Sequence, residues 1–349
     1  MNVMAEETEQ QKHEPFVLQW GEILGHHKQI RELRNMLAEG KLPHALLLSG
    51  PAGVGKKMIG RLLAAAILCE QPRQGKPCGA CASCRGLLAG GHPDYYELVP
   101  EARGKGARLI HIEEIRELTG LAAHYPVLSD RRVLLIDEAD AMNEQAANSL
   151  LKTLEEPPGQ VTFILVTGAR SALLDTIVSR CMPVSFGMLS QEDLQKLLSE
   201  RNVPVQEAAE LAALADGSIG RALVLYENGG LARRDEALAF LQQLKQMPIQ
   251  GLWAKAQQMG EWEREPVQEW LLYFRMLLRD LLVLYEDGAS PLLYHQDRRE
   301  ALLALLVSFT DRQLFALLDE VRELQRRLLA NVNLRLQLEA FFLRLRDIV

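Results

Sequence analysis

Positive charge is in short supply. Thirty-nine lysines and arginines stand against 46 aspartates and glutamates, a net charge of −7. No global basic field therefore draws the chain to nucleic acid, and any such contact is local or shared with partners. An uninterrupted apolar run is also missing. The most apolar stretch, residues 270–285, is cut by Arg275, Arg279 and Asp280, charges that sit too deep for a membrane span. Residues 1–15 are acidic and polar, lack the apolar centre of a secretory signal, and read as a disordered tail. Cysteine is scarce, five in 349 residues, and no repeat of fixed period occurs. These absences point to the cytoplasm, where thiols stay reduced and clustered ones suggest metal rather than disulfides. What remains, 48% hydrophobic and 24% charged residues, is a globular composition, at a length that implies two or three domains.

Helix and strand signals alternate through the first half. Residues 23–37, 56–68, 112–121 and 141–154 have helical spacing, and the last of these closes at Pro157 and Pro158. Residues 45–48, 95–99, 133–136 and 163–166 are short apolar runs that fit buried strands. Between the second strand and the third helix, residues 102–108 read as a loop rich in Gly and Arg. This order predicts an α/β fold with a parallel sheet covered by helices. Beyond Ser190 the strand signals stop. Residues 189–228 read as a small helical lid and residues 229–349, Leu-rich with helical periodicity, as an all-helical domain. The expected division is thus a tail (1–15), an α/β domain (16–188), a lid and a helical C-terminal domain.

Gly50-Pro51-Ala52-Gly53-Val54-Gly55-Lys56 follows a strand and opens a helix. Glycines at 50, 53 and 55 let backbone N–H groups, including that of Val54, turn inward around phosphates. The helix N-terminus favours the anion, and Lys56 reaches the β/γ oxygens. ATP or ADP is the ligand this pattern implies. The strand at 133–136 ends in Asp137 and Glu138, the first placed to hold Mg²⁺ and the second to orient an attacking water. One position departs from the pattern. The residue after Lys56 should carry a hydroxyl that ligates Mg²⁺, and here it is Lys57, a cation with no acceptor. The expectation is impaired hydrolysis with Mg²⁺ repelled or displaced, unless Lys57 snorkels outward and water replaces the missing ligand.

Cys69, Cys78, Cys81 and Cys84 are spaced C-x8-C-x2-C-x2-C among Gly and Pro turns. Four thiolates close a tetrahedral Zn²⁺ site with no open position, which favours a structural role. An iron–sulfur cluster would use the same ligands. Cys181 stands apart and reads as a small buried hydrophobe.

Five motifs now occur in order: Leu42-Pro43-His44-Ala45, the Cys₄ insertion, Asp137-Glu138-Ala139-Asp140, Leu150 through Pro158, and Ser179-Arg180-Cys181. Over residues 18–225 the chain resembles bacterial clamp-loader subunits of the AAA+ class, within the DNA polymerase III holoenzyme. The helical tail, with Asn331-Val332-Asn333, looks like that family's collar. Lys57 and the length favour the non-hydrolysing stator, or delta-prime, branch over the gamma/tau motor branch. The resemblance implies a hetero-oligomeric ring with gamma/tau and delta partners that loads the β sliding clamp onto primed DNA. It implies that Arg180 is an arginine finger acting in trans on a neighbour's ATP, against the commoner fate of a helix-end ion pair. It assigns Thr167 as the polar sensor of the γ-phosphate, against an ordinary strand end. Arg221 becomes the lid arginine, against a surface charge, and His44 falls near the adenine pocket, against a core or surface histidine. Rival readings are an active gamma/tau-type motor ATPase and a zinc-dependent DNA-binding module using Arg103, Lys105 and Arg108.

Overall fold

The computed structural model describes residues 16, 18–20, 23–102, 108–227, 231–262, 264–328 and 333–349. The chain divides into two compact units that meet at Leu189 and Ser190. The expected N-terminal tail and the Gly229-Gly230 boundary lie outside the described residues, as do Arg103, Lys105, Asn331 and Val332.

The first unit runs α1 (His27–Ala38), β1 (Ala45–Ser49), α2 (Lys56–Leu68), α3 (Ala82–Leu88), β2 (Tyr95–Leu98), β3 (Glu101–Ala102), β4 (Arg108–Leu109) and α4 (Ile112–Ala122). It continues with β5 (Arg132–Ile136), α5 (Glu144–Glu155), β6 (Val161–Thr167), α6 (Asp175–Val178) and β7 (Met182–Ser185). Five strands form one parallel sheet in the order β2-β5-β6-β1-β7. Every residue of β1, β5 and β6 is buried, which is why they read as continuous apolar runs rather than alternating ones. Alternation survives in which face each residue serves. Leu46, Leu48, Val133, Leu135, Ile164 and Val166 pack with α1 and α2 on one side, while Ala45, Leu47, Leu134, Ile136, Phe163 and Leu165 pack with α4 and α5 on the other.

Three features differ from the sequence expectation. The edge strand β7 carries Pro183, paired opposite Leu47. A proline lacks the ladder N–H and is tolerated only at an edge, so its presence hid the strand. The expected loop at 102–108 is flanked by the antiparallel pair β3–β4, with Glu101 opposite Leu109. The helix expected from residue 141 begins instead at Glu144, after a 3₁₀ turn at Ala139–Ala141. Asn143 caps it, its side chain accepting from the Ala146 N–H.

The second unit is all helical: α7 (Gln191–Glu200), α8 (Val205–Leu214), α9 (Ile219–Glu227), α10 (Ala232–Gln243), α11 (Ile249–Gly260), α12 (Arg264–Glu286), α13 (Arg299–Leu306), α14 (Asp311–Leu328) and α15 (Leu334–Ile348). Its core is aromatic. Trp270 and Phe274, one helical turn apart on α12, stack at 5.0 Å, and Phe240 of α10 and Phe342 of α15 meet Trp270 edge-on. Arg234 on α10, only 1% exposed, pairs with Glu210 of α8 and with Asp297. That buried cation ties the first three helices of the unit to the rest. No described helix is long and apolar enough to cross a membrane.

Candidate functional site

The glycine loop leaves β1 through Gly50, whose φ is 149°. A Cβ there would sit 2.3 Å from the Phe186 carbonyl oxygen, so no other residue fits without moving the edge of the sheet. Gly53 and Gly55 also adopt positive φ, 74° and 96°, and Gly55 caps α2. Among the described residues the N–H groups of Gly53, Val54 and Gly55 donate to no protein acceptor. From outside the loop His26 braces it, Nε2 lying 3.0 Å from the Val54 carbonyl and the ring edge-on to Phe186.

Lys56 is buried and folds back over the loop. Its Nζ donates to the carbonyls of Gly50 at 2.8 Å and Pro51 at 2.6 Å. Burial lowers its pKa from the ordinary lysine value, and Asp137 and Asp140 counter that pull.

Lys57 does not snorkel. Its ammonium lies 3.2 Å from Asp137 Oδ2 and 3.1 Å from Glu97 Oε1, bridging the carboxylates that end two adjacent strands. Arg61, one turn on along the same face of α2, grips Glu97 with Nε and Nη2, each at 2.7 Å, and Tyr95 donates its hydroxyl at 2.6 Å. Burial pushes the Glu97 carboxyl up, but the Arg61 fork, the Tyr95 hydroxyl and Lys57 outweigh it and hold it at about 2. A unit charge and a divalent ion about 4 Å apart repel by several kcal/mol even at an effective dielectric of about 20. The carboxylate expected to hold Mg²⁺ thus already holds a cation.

Glu138 forms a surface ion pair. It sits in left-handed backbone at φ 45°, and its exposed carboxylate faces Arg108 Nη1 at 3.6 Å. Thr167, fully buried at the end of β6, donates its hydroxyl to Asp140 Oδ1 at 2.7 Å, and that oxygen also accepts from the Gly168 N–H. His44 serves a helix end: its Nε2 lies 3.0 Å from the Leu154 carbonyl in the last turn of α5. Arg180 donates to the Thr176 carbonyl at 2.9 Å and forms an ion pair with Glu155. Arg221 belongs to the second unit, with Nη2 3.5 Å from Met276 Sδ on α12.

The four clustered cysteines come together. Their Sγ atoms all lie within 4.8 Å of one another, and Cys69 and Cys81 are 3.9 Å apart. Four sulfurs at about 2.3 Å from a tetrahedral zinc would be separated by about 3.8 Å, so the set fits such an ion. Backbone N–H groups already point at sulfur, Cys78 to Cys69 at 3.2 Å, Cys81 to Cys78 at 3.3 Å and Cys84 to Cys81 at 3.4 Å. The Ala80 and Cys81 amides pull the Cys78 thiol down to about 6. Burial raises Cys69 and Cys84, the cost that a metal would offset by binding them as thiolates. Cys181 is a buried thiol in the sheet core, raised by burial to about 11.

A family model described as "DNA polymerase III, delta subunit" matches residues 25–190. The DNA polymerase III subunit delta' of Pseudomonas aeruginosa is 33% identical over 307 residues, which cover 85% of this chain and 90% of that one. The chain belongs to the DNA polymerase III delta-prime family. The delta' subunit of Escherichia coli is 36% identical over 206 residues, 58% of this chain and 60% of that one. The tau/gamma subunit of Haemophilus influenzae is 35% identical over 212 residues, 59% of this chain and 30% of the relative. The likeness to this tau/gamma relative is therefore confined to part of each chain.

In this delta-prime family member, sequence reasoning missed Glu97, Arg61 and Asp140 as members of the site. A signal existed for two of them. Glu97 is an acid inside a strand run that precedes the Asp137 strand, and Arg61 follows Lys57 at the i,i+4 spacing that shares a helix face.

Proposed function

We propose that this chain is the stator of a cytoplasmic bacterial clamp loader. It helps place the β sliding clamp on primed DNA as part of a hetero-oligomeric ring with delta and gamma/tau subunits. The gamma/tau neighbours hydrolyse ATP, and Arg180 of this chain completes a neighbour's site in trans. Residues 16–188 form the AAA+ domain, 189–228 the lid that carries Arg221, and 229–349 the collar. Gly50, Gly53, Val54, Gly55 and Lys56 form the phosphate cradle, with Thr167 beside it.

The observation that carries this reading is the Lys57 bridge to Asp137 and Glu97. It sets an ammonium against the carboxylate that a hydrolytic site needs for its metal, and Glu138 is paired with Arg108. Clamp loading onto primed DNA by the reconstituted complex tests it. Omitting this chain should abolish loading, and adding it back as Lys56→Ala should restore nearly the full rate. ATP turnover by this chain's own site, lost together with loading in Lys56→Ala, would make the subunit an active motor.

The Cys₄ cluster is proposed to hold structural Zn²⁺. Chelation, or Cys78→Ser with Cys81→Ser, should loosen residues 69–88 while the sheet persists, read as local loss of amide protection by hydrogen exchange. Global unfolding on chelation would make the metal a requirement for the whole domain instead.

A further inference from the structure

Three cations and three carboxylates meet at this site, and they already balance. Lys56, Lys57 and Arg61 face Glu97, Asp137 and Asp140 through direct ion pairs or through space. In an ordinary phosphate loop a divalent ion sits against the carboxylate at the end of the acidic strand, held also by a hydroxyl on the first turn of the helix. Here that hydroxyl is replaced by the ammonium of Lys57, whose Nζ is 3.2 Å from Asp137 Oδ2. The replacement is fixed in place. Glu97 receives Lys57 on Oε1 while Arg61 and Tyr95 hold Oε2, so the acceptor cannot swing away without breaking a buried fork. Mg²⁺ does not fit these residues.

The anion-binding half of the site is nevertheless complete. The loop keeps its three positive-φ glycines and its lysine, and the amides of Gly53, Val54 and Gly55 have no protein acceptor among the described residues. Lys56 Nζ rests on two loop carbonyls, from which it can turn to phosphate oxygens by side-chain rotation alone.

We propose that Lys57 is a tethered substitute for the divalent cation, and that the loop binds a nucleoside di- or triphosphate without metal. Lys57 lies beside Asp137, the carboxylate that would otherwise hold the metal, and supplies a single charge with no capacity to polarise a phosphoryl group as a divalent ion does. The bound nucleotide is then retained, not consumed. This extends the stator reading to the chain's own site, and it is read on the isolated chain, so it can fail without touching Arg180.

Titration of the full-length chain with fluorescent ADP and ATP analogues, in EDTA and in excess Mg²⁺, tests it. Wild type should bind more tightly in EDTA than in excess Mg²⁺, because Mg²⁺ in solution competes with Lys57 for the nucleotide's phosphates. Lys56→Ala should weaken binding at least about tenfold in both. Lys57→Thr, checked for an unchanged melting curve, should acquire metal dependence and bind about tenfold or more tightly in Mg²⁺ than in EDTA. Mn²⁺ added alone to the nucleotide complex provides a reading free of any substitution, and electron paramagnetic resonance should show none bound to the wild-type protein beyond what free nucleotide chelates. Wild-type binding as tight or tighter with Mg²⁺, or protein-bound Mn²⁺, would overturn the proposal by showing that Lys57 yields to the metal. Failure of wild type to bind either analogue in either buffer would overturn it as well, leaving the loop a purely structural turn.

Discussion

Arg180→Ala in the reconstituted loader should slow ATP turnover at the adjoining site by about 10³-fold or more, with clamp loading falling alongside. On the proposed reading Arg180 serves both in the chain alone and in a neighbour's site. Its guanidinium is parked on Glu155, but the two side chains remain 33% and 48% exposed. A pair so exposed is worth about 0–1 kcal/mol. An arginine aimed at a transferring phosphoryl group is worth about 10³–10⁵ in rate, or about 4–7 kcal/mol. Release from Glu155 is therefore a small cost against that gain. Arg180 lies just beyond α6, where its Nη1 also donates to the Thr176 carbonyl, a surface bond that release would break as well. The competing account, that Arg180 matters only as a helix-end ion pair, makes a different forecast. If it were right, Glu155→Gln would do the same damage as Arg180→Ala. The finger account expects Glu155→Gln to turn over like wild type, and Arg180→Lys to recover only a small part of the rate, since an ammonium keeps the charge and loses the planar fork. Gel filtration of each variant loader separates lost chemistry from lost assembly. An Arg180→Ala loader that assembles and turns over normally would end the assignment.

The parts of this molecule that were legible in the sequence are those whose chemistry is local. The phosphate loop needs glycines and a lysine within seven residues, and the metal cluster needs four thiols within sixteen. Both declare themselves because neighbouring positions supply the whole device. The three central strands were legible for a related reason, being buried on both faces and hence continuously apolar. What stayed hidden depends on partners far apart in the chain. Glu97 reads as one polar residue in a strand until β2 pairs with β5 and brings it level with Leu135, two positions before Asp137. Only then does Lys57 have two acceptors, and only then does its role change from an odd substitution to a cation in a built position. Helix α3, seven residues carrying Cys84, lies inside the cysteine insertion and is too short for periodicity to reveal. Arg180 illustrates the remaining limit. The residue was singled out through resemblance, but its Glu155 partner comes from a helix 25 positions upstream, and no pattern reports that contact.

Asp94→Ala should destabilise the first unit by about 3–5 kcal/mol, the usual consequence of leaving a buried charge without its partner. Asp94 is fully buried at the start of β2, and its two oxygens accept from the N–H groups of Val127, Leu128 and Ser129 at 2.7, 2.7 and 2.9 Å. Arg132, 3% exposed, completes the clamp from the other side. It donates to the carbonyls of Leu121, His124 and Tyr125 and lies 3.4 Å from Asp94 Oδ1. Between them these two side chains fix six backbone groups of the segment joining α4 to β5. Apolar burial cannot do that work, because Tyr125 and Val127 are 92% and 76% exposed. Burial pushes the Asp94 carboxyl upward, but the three amides and Arg132 prevail and hold it below the usual aspartate value. A carboxyl depressed in the folded state stabilises above its unfolded value of about 3.9 and loses that contribution as pH falls through the folded one. Asp94→Ala should therefore remove part of the acid sensitivity along with the stability. For a unit of this size the melting temperature should drop by roughly 10 °C, and hydrogen exchange at Val127, Leu128 and Ser129 should rise first. If those amides stay protected and the midpoint does not move, the segment is held by something other than this buried pair.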